Sequence, residues 1–436
     1  MILNLHFENF RSFKKPVDLS LVAEGSKSKE QNVVLQRINK GTSEEEERVL
    51  KAAVLYGANA SGKSNLIRGV QDILHFVCDT RVTAGESIEA YTPFLFDTTT
   101  SQQPVIFSID FVGKDDVRFK YEISFGLNSV TKESLIWWPQ GKPVTLLQRD
   151  IKQTDQELIH KVNFKSNQKS YELDLFQNQA ALSKFGSEEA DEIISSVFLY
   201  FTKIGAATPL QLSNSRSYRD RQGLRLSSDE NLMKKLNELL RFADTGLKNL
   251  KVSRMEIDSR FIGTFSNSAA PMKDVFYDIS ATHPMFQDGK LLTQEATLPL
   301  AEESNGVRTL FTFGARILET LQEGGAIFVD ELETSLHPYL SKLLVLLFQS
   351  ERINKKKAQL IFTTHNTNLL DRTIFRKDQV WFAEKDEFGV TDLYSLQDFP
   401  DVREDTPFDK WYLAGKFGGI PDIKSIESLF EEFDGC

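Results

Sequence analysis

Two cysteines in 436 residues leave too little sulfur for a disulfide framework or a cysteine metal cluster. Cys78 falls in a stretch with helical spacing and Cys436 is the last residue. Long apolar runs are missing too, with no stretch of about 18 residues that could span a bilayer. Met1 to Phe10 has no basic segment followed by an apolar core, so no secretory leader is expected and the cytoplasm is the expected compartment. Basic charge is not in excess. The 52 Lys+Arg against 62 Asp+Glu give a net charge of -10, which argues against a chain that is basic throughout, as many obligate nucleic-acid binders are. A local basic groove is still compatible with that total. No repeat of fixed period and no heptad run of coiled-coil length is visible. What is present, 40% hydrophobic and 26% charged residues, is ordinary globular composition, and the length implies two or three folding units.

The stretch around which the chain is organised is Gly57-Ala-Asn-Ala-Ser-Gly-Lys-Ser64, which fits the phosphate-binding loop pattern GxxxxGK[ST] at every fixed position. Lys51 to Tyr56 before it is an apolar run with the look of a buried strand, and Asn65 to Val77 after it has helical spacing. Gly57 and Gly62 let successive backbone N–H groups, with Asn59, Ala60 and Ser61 between, curl around phosphates at a helix N-terminus. Lys63 is expected at the β- and γ-phosphates of ATP and the Ser64 hydroxyl at Mg²⁺.

Strands are expected at residues 2 to 7, 17 to 22, 104 to 112, 117 to 125 and 134 to 138, with Gly113 to Asp116 as a hairpin turn. Residues 175 to 255 read as a mostly helical insertion. Inside it, Arg216, Arg219, Arg221 and Arg225 beside Tyr218 form either a solvated flexible loop or a grip for a phosphate backbone or acidic partner. From Leu291 the chain alternates again, with strands at 325 to 330 and 358 to 364 and a helix at 338 to 347, which means parallel sheet.

The first of these late strands ends in Asp330 and Glu331. Adjacent carboxylates at a strand end point to different sides. Asp330 can hold Mg²⁺ through water while Glu331 polarises an attacking water as general base. His365 ends the next strand, where an imidazole can hydrogen-bond the γ-phosphate. Water attack fits this pair better than transfer to an acceptor hydroxyl, so a kinase is disfavoured.

Asn9-Phe-Arg-Ser-Phe13, the phosphate loop through Asn65, Glu303-Ser-Asn-Gly-Val-Arg308, Phe328 to Pro338 and Thr364-His-Asn366 together resemble the stand-alone ABC-type ATPases of prokaryotes, often called AAA proteins. These are relatives of RecF, SMC and OLD proteins, and within them the RloA, AbiL and PARIS-type ATPases of anti-phage operons look most similar. The resemblance covers roughly residues 1 to 110 and 290 to 436. It implies an α/β ABC-ATPase head, an antiparallel β lobe plus a parallel phosphate-loop core. It further implies ATP and Mg²⁺ as ligands, and a homodimer or higher oligomer that sandwiches ATP. Ser304 and Gly306 would act in trans, although Glu-Ser-Asn-Gly-Val departs from Leu-Ser-Gly-Gly-Gln. Arg11 and Asn65 would contact nucleotide, Glu333 to Leu336 would form the dimer-facing loop, and Gln102 or Gln103 would bridge Mg²⁺ and water. The tail from Trp411 to Pro421 resembles those of RloA-like proteins, or is a loop packed on a sheet edge.

The expected division is 1–174, the first part of the head; 175–255, the insertion; and 256–436, the second part. The expected function is a defence switch controlling an effector encoded nearby, a nuclease or toxin, with DNA or a phage protein as trigger. The alternative is DNA repair or DNA-end binding of the RecF or SMC kind. A transporter subunit is disfavoured, because about 240 residues separate the phosphate loop from Ser304.

Overall fold

The computed structural model describes residues 1–39, 44–151, 158–166, 169–187, 191–207, 216–258, 273–403 and 405–421. In chain order the elements begin with β1 (Ile2–Glu8), β2 (Val17–Ser20), β3 (Val33–Asn39), β4 (Glu44–Leu50), β5 (Ala52–Tyr56) and α1 (Lys63–Cys78). Next come β6 (Val105–Val112), β7 (Arg118–Phe125), β8 (Val130–Trp137), β9 (Val144–Asp150), β10 (Ile159–Ser166) and β11 (Lys169–Phe176). They lead to α2 (Ala181–Ser187), α3 (Glu192–Thr202), β12 (Ile204–Ala207), α4 (Arg216–Ser228) and α5 (Glu230–Phe242). The strands β13 (Asn249–Asp258), β14 (Lys273–Gln287) and β15 (Lys290–Pro299) precede α6 (Asn305–Glu323), β16 (Ala326–Val329) and α7 (Pro338–Gln349). The last are β17 (Gln359–Thr363), β18 (Val380–Lys385), β19 (Thr391–Ser395) and α8 (Phe408–Leu413). The chain is an α/β protein that divides into two compact units, one of residues 1–202 with 361 onward and one of Lys203–Leu360.

In the first unit an antiparallel sheet runs in the order β11-β10-β9-β8-β7-β6-β1-β2. Its cause is plain in β7, where Phe119, Tyr121, Ile123 and Phe125 are all buried on alternate positions. Each such large apolar side chain stabilises by about 1.5–3 kcal/mol when removed from water. Phe119 stacks on Phe111 of the neighbouring strand at 5.5 Å between ring centroids. The antiparallel lobe expected from the N-terminus and residues 104–138 is therefore present, and it continues through β9 to β11. The same unit holds β5 beside β18, parallel, with Leu55 opposite Trp381, and β19 antiparallel to β18. All five residues of β5 are fully buried, as a parallel strand covered on both faces requires.

In the second unit β12 and β16 are parallel, with Ala206 opposite Phe328, and β13-β14-β15 form a separate antiparallel sheet. Helices occupy much of the stretch 175–255, α2 and α3 in the first unit and α4 and α5 in the second, with β12 between them and the start of β13 after.

One expectation needs correction. The arginine-rich segment read as a flexible loop is helical from Arg216 onward, as α4, and Ser215 lies outside the described residues. Local sequence hides this helix because it has no apolar period. Tertiary packing makes it: a Cβ at Gly223 would overlap the Tyr277 side chain of β14, Asp220 accepts the Tyr277 N–H at 3.1 Å, and Leu226 is buried. Arg225 is ion-paired with Glu323 and lies 3.5 Å from Glu319, so that guanidinium is committed within the unit.

Candidate functional site

The phosphate loop leaves the end of β5 and opens α1, and its backbone is tightly constrained. Gly62 is the N-cap of α1 with φ 104°, a conformation suited to glycine, and a Cβ there would overlap the Thr391 hydroxyl and stand 2.7 Å from Ser12 Oγ. Ala60 is also left-handed, with φ 62°, an uncommon state for a residue with a side chain. Lys63 is buried, and its Nζ donates to the carbonyls of Gly57 at 2.9 Å and Ala58 at 2.8 Å. These are bonds to the loop's own backbone, which a bound phosphate can replace with stronger charge-assisted ones. The Ser61 hydroxyl is buried with no hydrogen-bond partner among the described residues. Asn59 and Ala60 are exposed at the loop's tip, and Ser64 and Asn65 are half-buried. Left-handed glycine, helix N-terminus, ammonium and orphaned hydroxyl together are the chemistry a polyphosphate needs.

Two chain segments support the loop. Ser12 lies in the turn after β1 and Thr391 opens β19. Their backbones are joined by the Thr391 N–H to the Ser12 carbonyl at 2.8 Å, and their hydroxyls reach Asn65 and the Ser61 carbonyl. On the other flank, Gly419 comes within 3.5 Å of Gly57 Cα, measured from a Cβ built on it. The tail after α8 is thus packed beside the loop, with Tyr412 between Tyr56 and Phe382 at 5.6 and 5.5 Å and its hydroxyl donating to the Gly419 carbonyl at 3.0 Å. Burial raises the Tyr412 phenol, offset in part by the Gly57 backbone. Thr391 and Tyr412 were not among the expected site residues. A phosphate loop names its own residues, whereas its supports come from distant segments and carry no spacing signal.

His365 follows β17 on the same side as the loop, because the Thr364 N–H donates to the Leu55 carbonyl at 3.1 Å and the Tyr56 hydroxyl to the Asn366 carbonyl at 3.1 Å. Its side chain is exposed. Arg11, left-handed at φ 50°, donates to Asp72 at 2.9 Å and borders a cavity of about 330 Å³ beside α1. Asp72 is nine residues beyond Lys63, so this guanidinium is engaged about 13 Å along the helix from the loop. Gln102 and Gln103 are exposed on a turn that Asn9 anchors, its amide donating to the carbonyls of Thr100, Gln103 and Pro104 at 2.9, 3.0 and 3.1 Å.

The second unit carries the paired acids. Asp330 is buried immediately after β16, and Glu331 is exposed and left-handed at φ 51°, accepting from Thr334 Oγ1 at 3.1 Å. Ser304 caps α6, accepting the Val307 N–H at 3.2 Å, and is exposed. Gly306 approaches the chain after the acids so closely that a Cβ would stand 2.9 Å from the Ser335 carbonyl. The expected signature and the expected dimer-facing loop are therefore adjacent. Glu303, just before the cap, pairs with His283 of β14 at 2.7 Å.

The family model described as "AAA domain, putative AbiEii toxin, Type IV TA system" matches residues 52–371, from the strand before the phosphate loop to beyond His365. The chain belongs to this AAA domain family. No curated protein matches it. Among solved structures it is similar to the SMC head domain from Thermotoga maritima, at 12% identity and TM-score 0.40 over 90% of this chain and 98% of that one. An SMC head bound to the C-terminal winged-helix domain of ScpA gives 12% and 0.41 over 90% and 97%. The recombination mediator protein RecF, in a structure described as RecF-ATPrS, gives 13% and 0.37 over 90% and 98%. Overlaps this loose decide nothing by themselves, and the functional reading rests on the motifs and the family. Among the described residues of this AAA protein, no helix is long and apolar enough to cross a membrane.

Proposed function

We propose that this AAA protein is an ABC-type, Mg²⁺-dependent ATPase that serves as a switch in anti-phage defence. It closes as a homodimer or higher oligomer around ATP and controls a nuclease or toxin encoded nearby, with DNA or a phage protein as trigger. The observation that carries the ATPase half is the phosphate loop itself, with glycine forced at position 62, Lys63 buried and the Ser61 hydroxyl unpartnered. Support for the defence half is the family's description, which names a toxin of a toxin–antitoxin system.

In this reading Lys63 holds the β- and γ-phosphates and the backbone of 58–64 wraps them. Mg²⁺, which Ser64 and Asp330 would hold, supplies neutralising charge for the phosphate oxygens. Glu331 takes a proton from water as the water oxygen bonds to the γ-phosphorus and the bond to ADP breaks. His365 donates to a γ-phosphate oxygen, and Ser304 with the Gly306 backbone of a second copy donates to the same group. Left-handed backbone at Glu331 fits a residue aimed for a task rather than for packing. The DNA-repair alternative is weaker, since Arg225 of its basic segment is spent on Glu323 and Glu319.

Phosphate release from ATP by the full chain with and without Mg²⁺ tests the first half. Glu331→Gln should lower kcat by about 10²–10³-fold while nucleotide still binds. A rate near wild type rules out Glu331 as base. For the second half, deleting the gene should abolish protection against some phage. Unchanged plaque counts over a broad panel count against the defence role.

A further inference from the structure

The supports of the phosphate loop form a chain of hydrogen bonds whose direction is forced. Thr391 Oγ1 lies 2.7 Å from the Ser61 carbonyl oxygen and 2.8 Å from Ser12 Oγ, and Ser12 Oγ lies 2.7 Å from Asn65 Nδ2. A carbonyl only accepts and an amide N–H only donates, which leaves each hydroxyl one sense. Asn65 donates to Ser12, Ser12 to Thr391, and Thr391 to Ser61. The relay leaves the loop at residue 65 and returns to it at residue 61, so it brackets Gly62, Lys63 and Ser64. Slack anywhere in the relay becomes displacement of those three residues.

We propose that Ser12 and Thr391 are positioning residues of the phosphate loop, whose two hydroxyls hold the 61–65 segment in the form that receives a nucleoside triphosphate. The inference rests on reading that loop as a nucleotide site. Ser12, Ser61 and Thr391 are 6%, 3% and 1% exposed, so water cannot replace a missing hydroxyl, and the Ser61 carbonyl would lose its side-chain donor. The relay also occupies the space above Gly62, where no side chain fits. Loop geometry thus depends on two residues 379 positions apart.

Equilibrium binding of fluorescent ATP and ADP analogues to the full chain, beside the melting temperature of the ligand-free protein, tests this. Thr391→Val keeps the shape and removes the hydroxyl; Thr391→Ser keeps the hydroxyl and removes the methyl. Thr391→Val should weaken both nucleotides about tenfold, whereas Thr391→Ser stays within about threefold of wild type. Ser12→Ala should weaken binding similarly, and the double variant should lose less than the sum because both residues serve one chain of bonds. Nucleotide affinity equal to wild type in Thr391→Val overturns the proposal, as does Thr391→Ser binding as weakly as Thr391→Val. If Thr391→Val does not fold, Ser12→Ala decides by the same affinity readout. Failure of the wild-type chain to bind any nucleotide would remove the ATPase reading and this inference with it, whereas normal binding by both variants removes the inference alone.

Discussion

The polar groups around the phosphate loop and those inside the antiparallel sheet are about equally hidden from water, yet they are connected differently. In the sheet, Glu133 of β8 is fully buried. It accepts from Tyr121 at 2.8 Å and from the Ala181 and Leu182 N–H groups at 2.8 and 3.0 Å, capping α2 with a carboxylate. Arg149 of β9 donates to the carbonyls of Gln179 and Gln177 at 2.8 and 2.9 Å and to His160 Nδ1 at 2.8 Å. Since a guanidinium only donates, that ring nitrogen accepts. Every one of these bonds ends on the protein. Around the loop, the Ser61 hydroxyl has no partner and Lys63 bonds to backbone that a phosphate can displace. Both networks hold an orphan, Arg149 Nε in the sheet and Ser61 Oγ in the loop, but only the loop also carries an ammonium whose backbone bonds a phosphate can displace.

Breaking the sheet network should give the largest change in stability. Arg149→Met removes the donor to several buried carbonyls and a cation whose charge favours ionised Glu133, and should cost about 3–5 kcal/mol in urea unfolding. Nucleotide affinity of the folded fraction should be unchanged, and a loss of affinity would blur the contrast between the two networks. Lys63→Ala should behave in the opposite way. Nucleotide binding should fall by about a hundredfold or more, the loss of a charge-assisted phosphate contact, with little change in ligand-free melting temperature.

The smallest effect concerns pH. Burial raises the Glu133 carboxyl above its ordinary value of 4.5, against the opposing influence of Arg149 and its hydrogen-bond donors. A group whose folded pKa is raised favours the fold most when protonated, so its contribution is full below the unfolded value and declines as pH rises through the raised value. Unfolding free energy measured from pH 4 upward should therefore carry a downward component that Glu133→Gln lacks. Identical pH slopes in the two proteins would show that the sheet network is indifferent to this charge.

Much of the fold could be read from local pattern. Strict alternation marked β7, the apolar run marked β5, and the strand, glycine loop and helix order placed Lys63 and Ser64 just before a helix expected from Asn65, which the structure begins at Lys63 itself. Helix α4 could not be read, because Gly223 and Leu226 stabilise it only by meeting β14 and the interior. The cluster of Glu133 and Arg149 was equally hidden, since either residue alone is an ordinary charged position in a strand.

By itself the sequence determined which residues can cradle a polyphosphate, because glycine conformation, helix start and lysine reach are properties of eight consecutive residues. Only the tertiary structure decided what holds that cradle in shape. Ser12, Thr391 and Gly419 are brought to the loop by strand pairing and aromatic packing across hundreds of residues, and no local pattern encodes which distant hydroxyl will face a given carbonyl.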